Sequence, residues 1–198
     1  MQHDALRPWK TIARKTILIH SKFLSIETHT IRLPDGQIIP DWPVVIIPDA
    51  AIVLAQTEQG KFICFRQTKY AIDGITLAPV GGMVESDEDP LGAAQRELRE
   101  ETGYAAQDWI HFGSFRSDPN RGIHTIHLFF ARNARLVAEP DSDDLEDQQL
   151  ILLERAELEK ALFKGEFKAL MWTTIVSLSL HYIDYQQKLS NEEMKSGS

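Results

Sequence analysis

The sequence predicts a mixed protein of the α/β (or α+β) class, in which one sheet is covered by a few helices. Three observations predict this class. Short apolar runs separated by turn residues fill the first half of the chain. A helical pattern with capping residues at both ends follows, between positions 89 and 103. Strand-like runs then return, and two further helical patterns come after them. This order is typical of a sheet packed against helices.

The first half of the chain is predicted to form strands joined by tight turns. Pro34-Asp35-Gly36 and Glu58-Gln59-Gly60 each separate two apolar runs, and such turn residues are typical of β-hairpins. The strands predicted here are residues 16–19, 24–33, 37–39, 44–47, 51–56 and 61–67.

One amphipathic helix is predicted in the middle of the chain. Asp89 suits its N-cap, Pro90 its first turn and Gly103 its end. The apolar stripe between these ends consists of Leu91, Ala94 and Leu98. After this helix, strands are predicted at 109–115, 125–131 and 150–153, and helices at 155–163 and 167–185.

These patterns divide the chain into three parts. Residues 1–43 are predicted to form a β-rich N-terminal extension, and residues 44–190 the main domain. Residues 191–198 are predicted to be a flexible tail.

Composition and charge exclude several classes of protein. The 198 residues are 43% hydrophobic and 25% charged, as expected of one soluble domain with a sizeable core. The formal net charge of -8 argues against sequence-independent binding to nucleic acid. We find no start of signal-peptide type and no clean apolar run of roughly 20 residues that could span a membrane. The lone Cys64 is expected to be a buried thiol. We therefore expect a cytoplasmic protein without a nucleic-acid or membrane partner.

Three glutamates lie on one face of the predicted central helix. A helix turns about 100° per residue, so Glu97 and Glu101 lie roughly 40° apart and Glu100 lies about 60° from Glu97. Like charges at this spacing destabilise a helix. Their presence suggests a site for a hard divalent cation such as Mg²⁺. The alternative is a solvated acidic face, which is the commoner interpretation of a run of charges.

The segment that contains this helix carries a longer pattern of fixed residues. It has the form G-x5-E-x7-R-E-U-x-E-E-x-G-U, where U is a bulky aliphatic or aromatic residue. This is the Nudix box, matched at every fixed position, so the chain resembles a Nudix hydrolase. The matching residues are Gly82, Glu88, Arg96, Glu97, Leu98, Glu100, Glu101, Gly103 and Tyr104.

The resemblance implies an α/β/α sandwich with a mixed central sheet. It also implies hydrolysis, dependent on Mg²⁺ or Mn²⁺, of a nucleoside diphosphate linked to another group. Cations suit this reaction because they offset the negative charge by which a diphosphate repels an attacking hydroxide.

The resemblance also implies roles for individual residues. It implies that Glu97 and Glu101 bind the metal, and that Glu100 is a further ligand or orients the attacking water. A backbone carbonyl just before the box is a ligand in related enzymes, and here it belongs to Gly81. The residues that would brace the loop and the helix are Glu88 and Arg96.

Outside the box, the chain is similar to the ADP-ribose pyrophosphatase and nucleoside diphosphate sugar hydrolase group. Arg66 and Lys69 lie in the segment that this group places before the box, and Lys69 stands where an arginine usually contacts phosphate. Pro119 lies near a proline of the group. Several positions depart from the group's pattern and leave the substrate open: Ala78, Asp87, Asn120, Arg121, Gly122 and His124.

A catalytic base is expected in the acidic stretch 139–149. Glu146 falls where the group places a catalytic glutamate, and a glutamate there could take the proton of the attacking water. Asp144 and Glu100 are the alternatives, and a merely solvated acidic loop is the other interpretation.

The N-terminal extension is expected to contribute to binding and assembly. In the resembling group such an extension forms a dimerising domain, so a homodimer is expected. Trp42 could stack on a nucleobase, or could simply belong to a core or interface. Arg121 could reach a phosphate or sugar, or could be a surface arginine.

The function that the sequence favours is metal-dependent hydrolysis of the pyrophosphate bond of ADP-ribose or a related nucleoside diphosphate sugar. The products would be a nucleoside monophosphate and a sugar phosphate. One alternative is a Nudix hydrolase that acts on dinucleoside polyphosphates, nucleoside triphosphates or coenzyme A. Another is a sensor that binds a nucleotide metabolite without turnover.

Overall fold

A computed structural model describes residues 6–141 and 147–196 of the chain. The chain forms two compact units. The first comprises Met1–Asp49 and Phe115–Thr125, and the second comprises Ala50–Ser114 and Ile126–Ser198. No helix in the described part of the chain is both long and apolar enough to cross a membrane.

The first unit contains a three-stranded antiparallel sheet in the order β1-β2-β3. Its strands are β1 (Lys10–Ser21), β2 (Leu24–Arg32) and β3 (Ile38–Ile46). The predicted hairpin turn is confirmed, because Gly36 has a φ of 94° and its N–H donates to the carbonyl of Leu33 at 3.0 Å. β1 is longer than the predicted 16–19, β2 ends one residue before the predicted 33, and β3 joins the two runs predicted at 37–39 and 44–47. The boundary predicted after Pro43 falls inside β3.

The segment 115–125 completes this unit by returning beside β3. The N–H of Val45 donates to the carbonyl of Arg121 at 3.2 Å, and that of Ile47 donates to the carbonyl of Ile123 at 3.3 Å. Nothing in the local sequence pattern predicted this pairing, because it joins positions more than seventy residues apart.

The second unit is built on an eight-stranded sheet. Its central path has the order β11-β5-β4-β10-β8, with β6 beside β5, β7 beside β4 and β9 beside β10. β10 pairs with β4 in parallel, whereas β5 and β7 pair with β4 antiparallel, so the predicted mixed sheet is confirmed. The strands are β4 (Ala50–Thr57), β5 (Phe62–Lys69), β6 (Ile72–Ala78), β7 (Val80–Met83), β8 (Tyr104–Ala105), β9 (Asp108–Arg116), β10 (Thr125–Leu136) and β11 (Gln148–Leu153).

Helices cover both faces of this sheet. Side chains alternate between the faces of a strand, so Ile52 and Leu54 of β4 pack in one cluster and Ala51 and Val53 in another. The first cluster includes residues of α2 (Arg155–Phe163) and α3 (Leu170–Ser196), and the second includes residues of α1 (Pro90–Thr102). The predicted α/β/α layering is therefore confirmed within this unit.

The central helix α1 begins and ends as predicted. The side chain of Asp89 accepts hydrogen bonds from the N–H groups of Leu91 and Gly92, at 3.0 and 3.1 Å. Gly103 ends the helix with a φ of 75°, and its N–H donates to the carbonyl of Arg99 at 2.9 Å. The predicted apolar stripe is wrong at Leu91, whose side chain is exposed. The residues of the helix that are buried are Ala93, Ala94, Leu98 and Thr102.

One helix and two strands of the second unit also differ from the prediction. The helix α3 ends at Ser196 and not at residue 185, so the predicted tail is helical as far as it is described. The strands β6 and β7 were not predicted, because Gly74, Pro79, Gly81 and Gly82 interrupt the apolar pattern there. Cys64 is fully buried as expected, and its burial raises the pKa of the thiol to about 12.

We expect Asp89→Ala to lower the free energy of unfolding by about 1 kcal/mol, because two N–H groups of the first turn of α1 lose their acceptor. Chemical denaturation at neutral pH measures the effect. Asp89→Asn keeps an acceptor oxygen and should lose much less. An alanine variant as stable as the wild type would contradict the capping role.

Candidate active site

Arg96 on α1 links the carboxylates of the box to one another. Its Nε and Nη2 donate to the two carboxylate oxygens of Glu88 at 3.0 and 2.9 Å. Its Nη1 donates to Glu97 at 2.7 Å and to Glu100 at 3.2 Å. Nη2 also donates to the backbone carbonyl of Met83 at 3.0 Å. One guanidinium therefore ties the loop after β7 to the helix α1.

This network perturbs the ionisation of its members. The hydrogen bond from Arg96 lowers the pKa of Glu88. The hydrogen bond to Glu88, followed by those to Glu97 and Glu100, raises the pKa of Arg96. The pair is bidentate, which is the strong geometry for a guanidinium and a carboxylate. The loop residue Glu88 therefore stays ionised and held by α1 at neutral pH.

The two glycines of β7 allow two glutamates of α1 to approach the strand. A Cβ atom on Gly82 would overlap the carboxylate of Glu97. The N–H of Gly81 donates to the carboxylate of Glu101 at 3.2 Å. A Cβ on Gly81 would lie 2.7 Å from the carbonyl oxygen of Ala51, which is also too close. The carboxylates of Glu97 and Glu101 thus meet consecutive positions of the same strand.

The residues present suit a hard divalent cation in their chemistry. Carboxylate and carbonyl oxygens are the ligands that such cations prefer. Glu97, with a side chain 14% exposed, lies in the space that the missing Cβ of Gly82 leaves, whereas the side chain of Glu100 is 50% exposed. Arg96 pairs with both carboxylates. Within residues 6–141 and 147–196, no group of three or more His, Cys, Asp or Glu side chains is arranged to hold a metal ion.

The structure brings together the predicted substrate residues of the first unit. Trp42, Pro119 and Arg121 line one pocket of about 490 Å³. The indole N–H of Trp42 donates to the carbonyl of Asn120 at 2.6 Å, which fixes the ring against this loop. Arg121 pairs with Asp118 at 3.4 Å.

Sequence reasoning missed several residues of this pocket. Trp9 meets Trp42 edge to face, with ring centroids 5.6 Å apart. The pocket is also lined by Arg14, Glu27, His29 and Arg116. These residues come from three separate segments, and the only local signal for any of them was the aromatic residue Trp9 close to the start of β1.

The remaining predicted residues lie elsewhere or outside the described residues. Arg66 and Lys69 are on β5, and Arg66 lines a pocket of about 230 Å³ with Ile75, Asp147 and Gln149 among others. Arg66 is exposed, while Lys69 is partly buried. The candidate bases Glu146 and Asp144 both lie outside the described residues.

Comparison with known proteins identifies the family of this arrangement. A family model described as NUDIX domain matches residues 47–173, which is more than half of the chain. The chain is 26% identical over 184 residues to the ADP-ribose pyrophosphatase of Bacillus subtilis (strain 168), with 93% of this chain and 97% of that protein covered. It is 26% identical over 183 residues to the methanol dehydrogenase activator of Bacillus methanolicus, with 92% and 96% covered.

Two further comparisons bear on the reaction and the fold. A CMP-5'-(N-acetyl-N-hydroxy-3-aminopropyl)phosphonate hydrolase of Streptomyces rubellomurinus (strain ATCC 31215) is 29% identical over 150 residues, covering 74% of this chain and 72% of that protein. A solved structure of an ADP compounds hydrolase superposes with a TM-score of 0.74 at 16% identity. It covers 92% of this chain and 97% of that chain, and at this identity it confirms the fold alone.

We expect Glu88→Gln to lower the free energy of unfolding at neutral pH, because the Arg96 fork loses its ionised partner. The pKa of Glu88 is lowered in the folded protein, so its contribution is complete above its ordinary value of 4.5 and is lost as the pH falls through the lowered value. The difference in the free energy of unfolding between the wild type and the variant should therefore disappear on acidification. Urea denaturation from neutral pH to about pH 3 measures it.

The matched control is Asp87→Asn, which removes the charge of the exposed neighbouring residue in the same loop. It should change stability little at any of these pH values. If Glu88→Gln lowered the free energy of unfolding by the same amount at every pH, the ionised Glu88–Arg96 pair would not be the source of the effect.

Proposed function

We propose that this chain, which belongs to the Nudix hydrolase family, hydrolyses the pyrophosphate bond of ADP-ribose or a related nucleoside diphosphate sugar with Mg²⁺, or alternatively Mn²⁺, as its cofactor. Water would add across one P–O bond of the P–O–P bridge, its oxygen bonding to one phosphorus while the bridging oxygen leaves with the other phosphate, giving a nucleoside monophosphate and a sugar phosphate. The observation that carries this proposal is the approach of Glu97 and Glu101 to the backbone of Gly81 and Gly82, braced by Arg96.

In this proposal, the divalent cation is held by Glu97, Glu101, Glu100 and the carbonyl of Gly81. Nudix hydrolases generally use divalent metals. When bound, such a cation neutralises phosphate charge and lowers the pKa of the attacking water.

The chain's own residues have separate tasks in this proposal. Arg96 keeps Glu97 and Glu100 in position through its Nη1, and Glu88 keeps Arg96 in position through the bidentate pair. Glu146 is proposed as the base that takes the proton of the attacking water, with Asp144 and Glu100 as alternatives. Its place in the acidic stretch of the sequence before β11 supports this choice.

The pocket of the first unit is proposed to bind the nucleoside part of the substrate. Trp42 offers an aromatic face for a base, and its position is fixed by the hydrogen bond to Asn120. Arg121, with a side chain 57% exposed, offers a cation for a phosphate or sugar, and Pro119 lines the same pocket. Arg66 and Lys69 on β5 are proposed to bind the diphosphate.

The names of two relatives support a substrate in which a nucleotide is linked to another group. The name of the Bacillus subtilis relative specifies ADP-ribose, and that of the Streptomyces relative specifies a cytidine nucleotide linked to a phosphonate. Adenine and cytosine derivatives therefore both belong in the test.

A homodimer that acts in the cytoplasm completes the proposal. Every residue of β1 is exposed, and this strand lies at the edge of its sheet within the first unit. Large apolar side chains on this strand and on the turn after it are exposed, and such an edge favours association with a second copy. Their exposed fractions are Ile12 47%, Ile17 56%, Leu18 47%, Ile19 74% and Phe23 46%.

The function is tested by incubating the protein and Mg²⁺ with ADP-ribose, other ADP sugars and CDP derivatives, and separating the products by chromatography. We expect a nucleoside monophosphate and a sugar phosphate. Glu97→Gln and Glu101→Gln should each lower kcat by at least roughly 100-fold, because transition-state stabilisation by the cation is lost. Glu192→Gln, an exposed charge on α3, is the control and should be active. Wild-type turnover in either box variant would reject the metal assignment.

The dimer is tested by light scattering at micromolar concentration. We expect twice the 22.5 kDa mass of the chain. Replacing Ile17 and Ile19 of β1 by lysine should shift the equilibrium to the monomer, because charges on an edge strand oppose pairing. A wild-type protein that stays monomeric at this concentration would remove the assembly from the proposal.

A further inference from the structure

Two histidines and a serine form a cluster on strands β9 and β10 that has no part in the site described so far. The hydroxyl of Ser114 lies 2.7 Å from Nδ1 of His127 and 3.4 Å from Nε2 of His111. The centroids of the two imidazole rings are 6.3 Å apart. The ring of His111 also stacks on that of Phe129, with 4.7 Å between the centroids and an interplanar angle of 21°. We refer to His111, Ser114 and His127 as the histidine–serine cluster.

The cluster lies on the same face of the large sheet as helix α1. Phe129, on which His111 stacks, belongs to the apolar cluster that includes α1. His127 is two positions before Phe129 on the same strand and therefore shares its face. Phe112, next to His111, stacks instead on Phe130 in the cluster of the opposite face.

Strand register relates this cluster to the box glutamates. His127 pairs with Ala51 across β10 and β4, and Ala51 pairs with Gly82 across β4 and β7. Paired residues share a face of the sheet, and Gly82 is the position against which the carboxylate of Glu97 lies. Adjacent strands are about 4.8 Å apart, so the backbone at His127 is roughly 10 Å from that at Gly82. A diphosphate and its attached sugar can span such a distance.

The chemistry of the cluster suits neutral hydroxyl groups. A hydroxyl and an imidazole ring each supply both a donor and an acceptor, which is what a sugar hydroxyl requires of its partners. His111 and Ser114 are exposed, so their polar atoms are open to a ligand. Exposed side chains of this kind contribute little to stability.

We propose that His111, Ser114 and His127 bind the hydroxyl groups of the sugar attached to the diphosphate, and thereby determine which sugar the enzyme prefers. This inference rests on the proposed function, because it assigns one end of that substrate. It adds to the proposed active site a group of residues on β9 and β10 that selects the sugar.

The test compares two substrates in steady-state kinetics: ADP-ribose, and an ADP ester of a short alkyl alcohol that carries no sugar hydroxyls. We expect His127→Phe to raise KM for ADP-ribose by up to about tenfold, with kcat changed less than about twofold, since one or two hydrogen bonds are lost. KM for the alkyl ester should not change. His127→Gln keeps hydrogen-bonding groups and should recover part of the loss.

The matched control is His181→Phe, the same replacement at an exposed position of α3. It should leave both substrates unaffected. His111→Phe and Ser114→Ala repeat the comparison at the other two positions, so the result does not depend on one variant folding. Equal KM changes for both substrates, or none for either, would overturn the inference while leaving the hydrolase activity standing.

A binding measurement separates this inference from the proposed reaction. The imidazole resonances of His111 and His127 are followed by NMR as ribose 5-phosphate is added to the wild-type protein. We expect both to shift, and the His181 resonance to stay constant. If no nucleoside diphosphate derivative is hydrolysed but these resonances shift, the reaction is wrong and the sugar site stands. If they do not shift with ribose 5-phosphate, the sugar site is rejected.

Discussion

The candidate site depends on a single guanidinium, that of Arg96, which contacts three carboxylates and one backbone carbonyl. Arg96 donates hydrogen bonds to both oxygens of Glu88, to one oxygen each of Glu97 and Glu100, and to the backbone carbonyl of Met83. Without this cation, the carboxylates of Glu88, Glu97 and Glu100 would repel one another, and Arg99 would be the one basic residue left on α1. A lysine has one compact charge and could not provide the planar fork that the Glu88 pair uses.

The second constraint is the absence of side chains on β7. Gly81 and Gly82 let α1 lie so close to the strand that its glutamates reach the backbone, and an alanine at Gly82 would displace the Glu97 carboxylate. Side chains of β4 alternate between the two faces of the sheet, and this alternation favours the same close approach. The small Ala51 faces α1, whereas the larger Ile52 faces α2 and α3. The position of the acidic face is thus set by which residues are small as well as by which are charged.

Local patterns predicted the parts of this protein whose cause is local. The caps of α1, the two hairpin turns and the helix 155–163 follow from residues next to one another, and the structure has them as predicted. The box spacing predicted which glutamates share a face, but not that Arg96 holds two of them. Pairings between distant segments, such as Arg121 beside Val45 or His127 beside Ala51, have no signature in either segment alone. Glycine-rich β7 was missed because its residues serve close approach and not apolar burial.

The parallel pairing of β4 with β10 affects how the chain acquires its structure. Ala50 pairs with Ile126, whereas the antiparallel partners of β4 follow it within a few dozen residues. Contacts between distant residues form slowly because a long loop must first be closed. During synthesis from the N-terminus, β4, β5, β7 and α1 emerge before β10 does. The box can therefore assemble on a sheet that still exposes one apolar edge, and nascent chains at that stage are the ones most prone to aggregate.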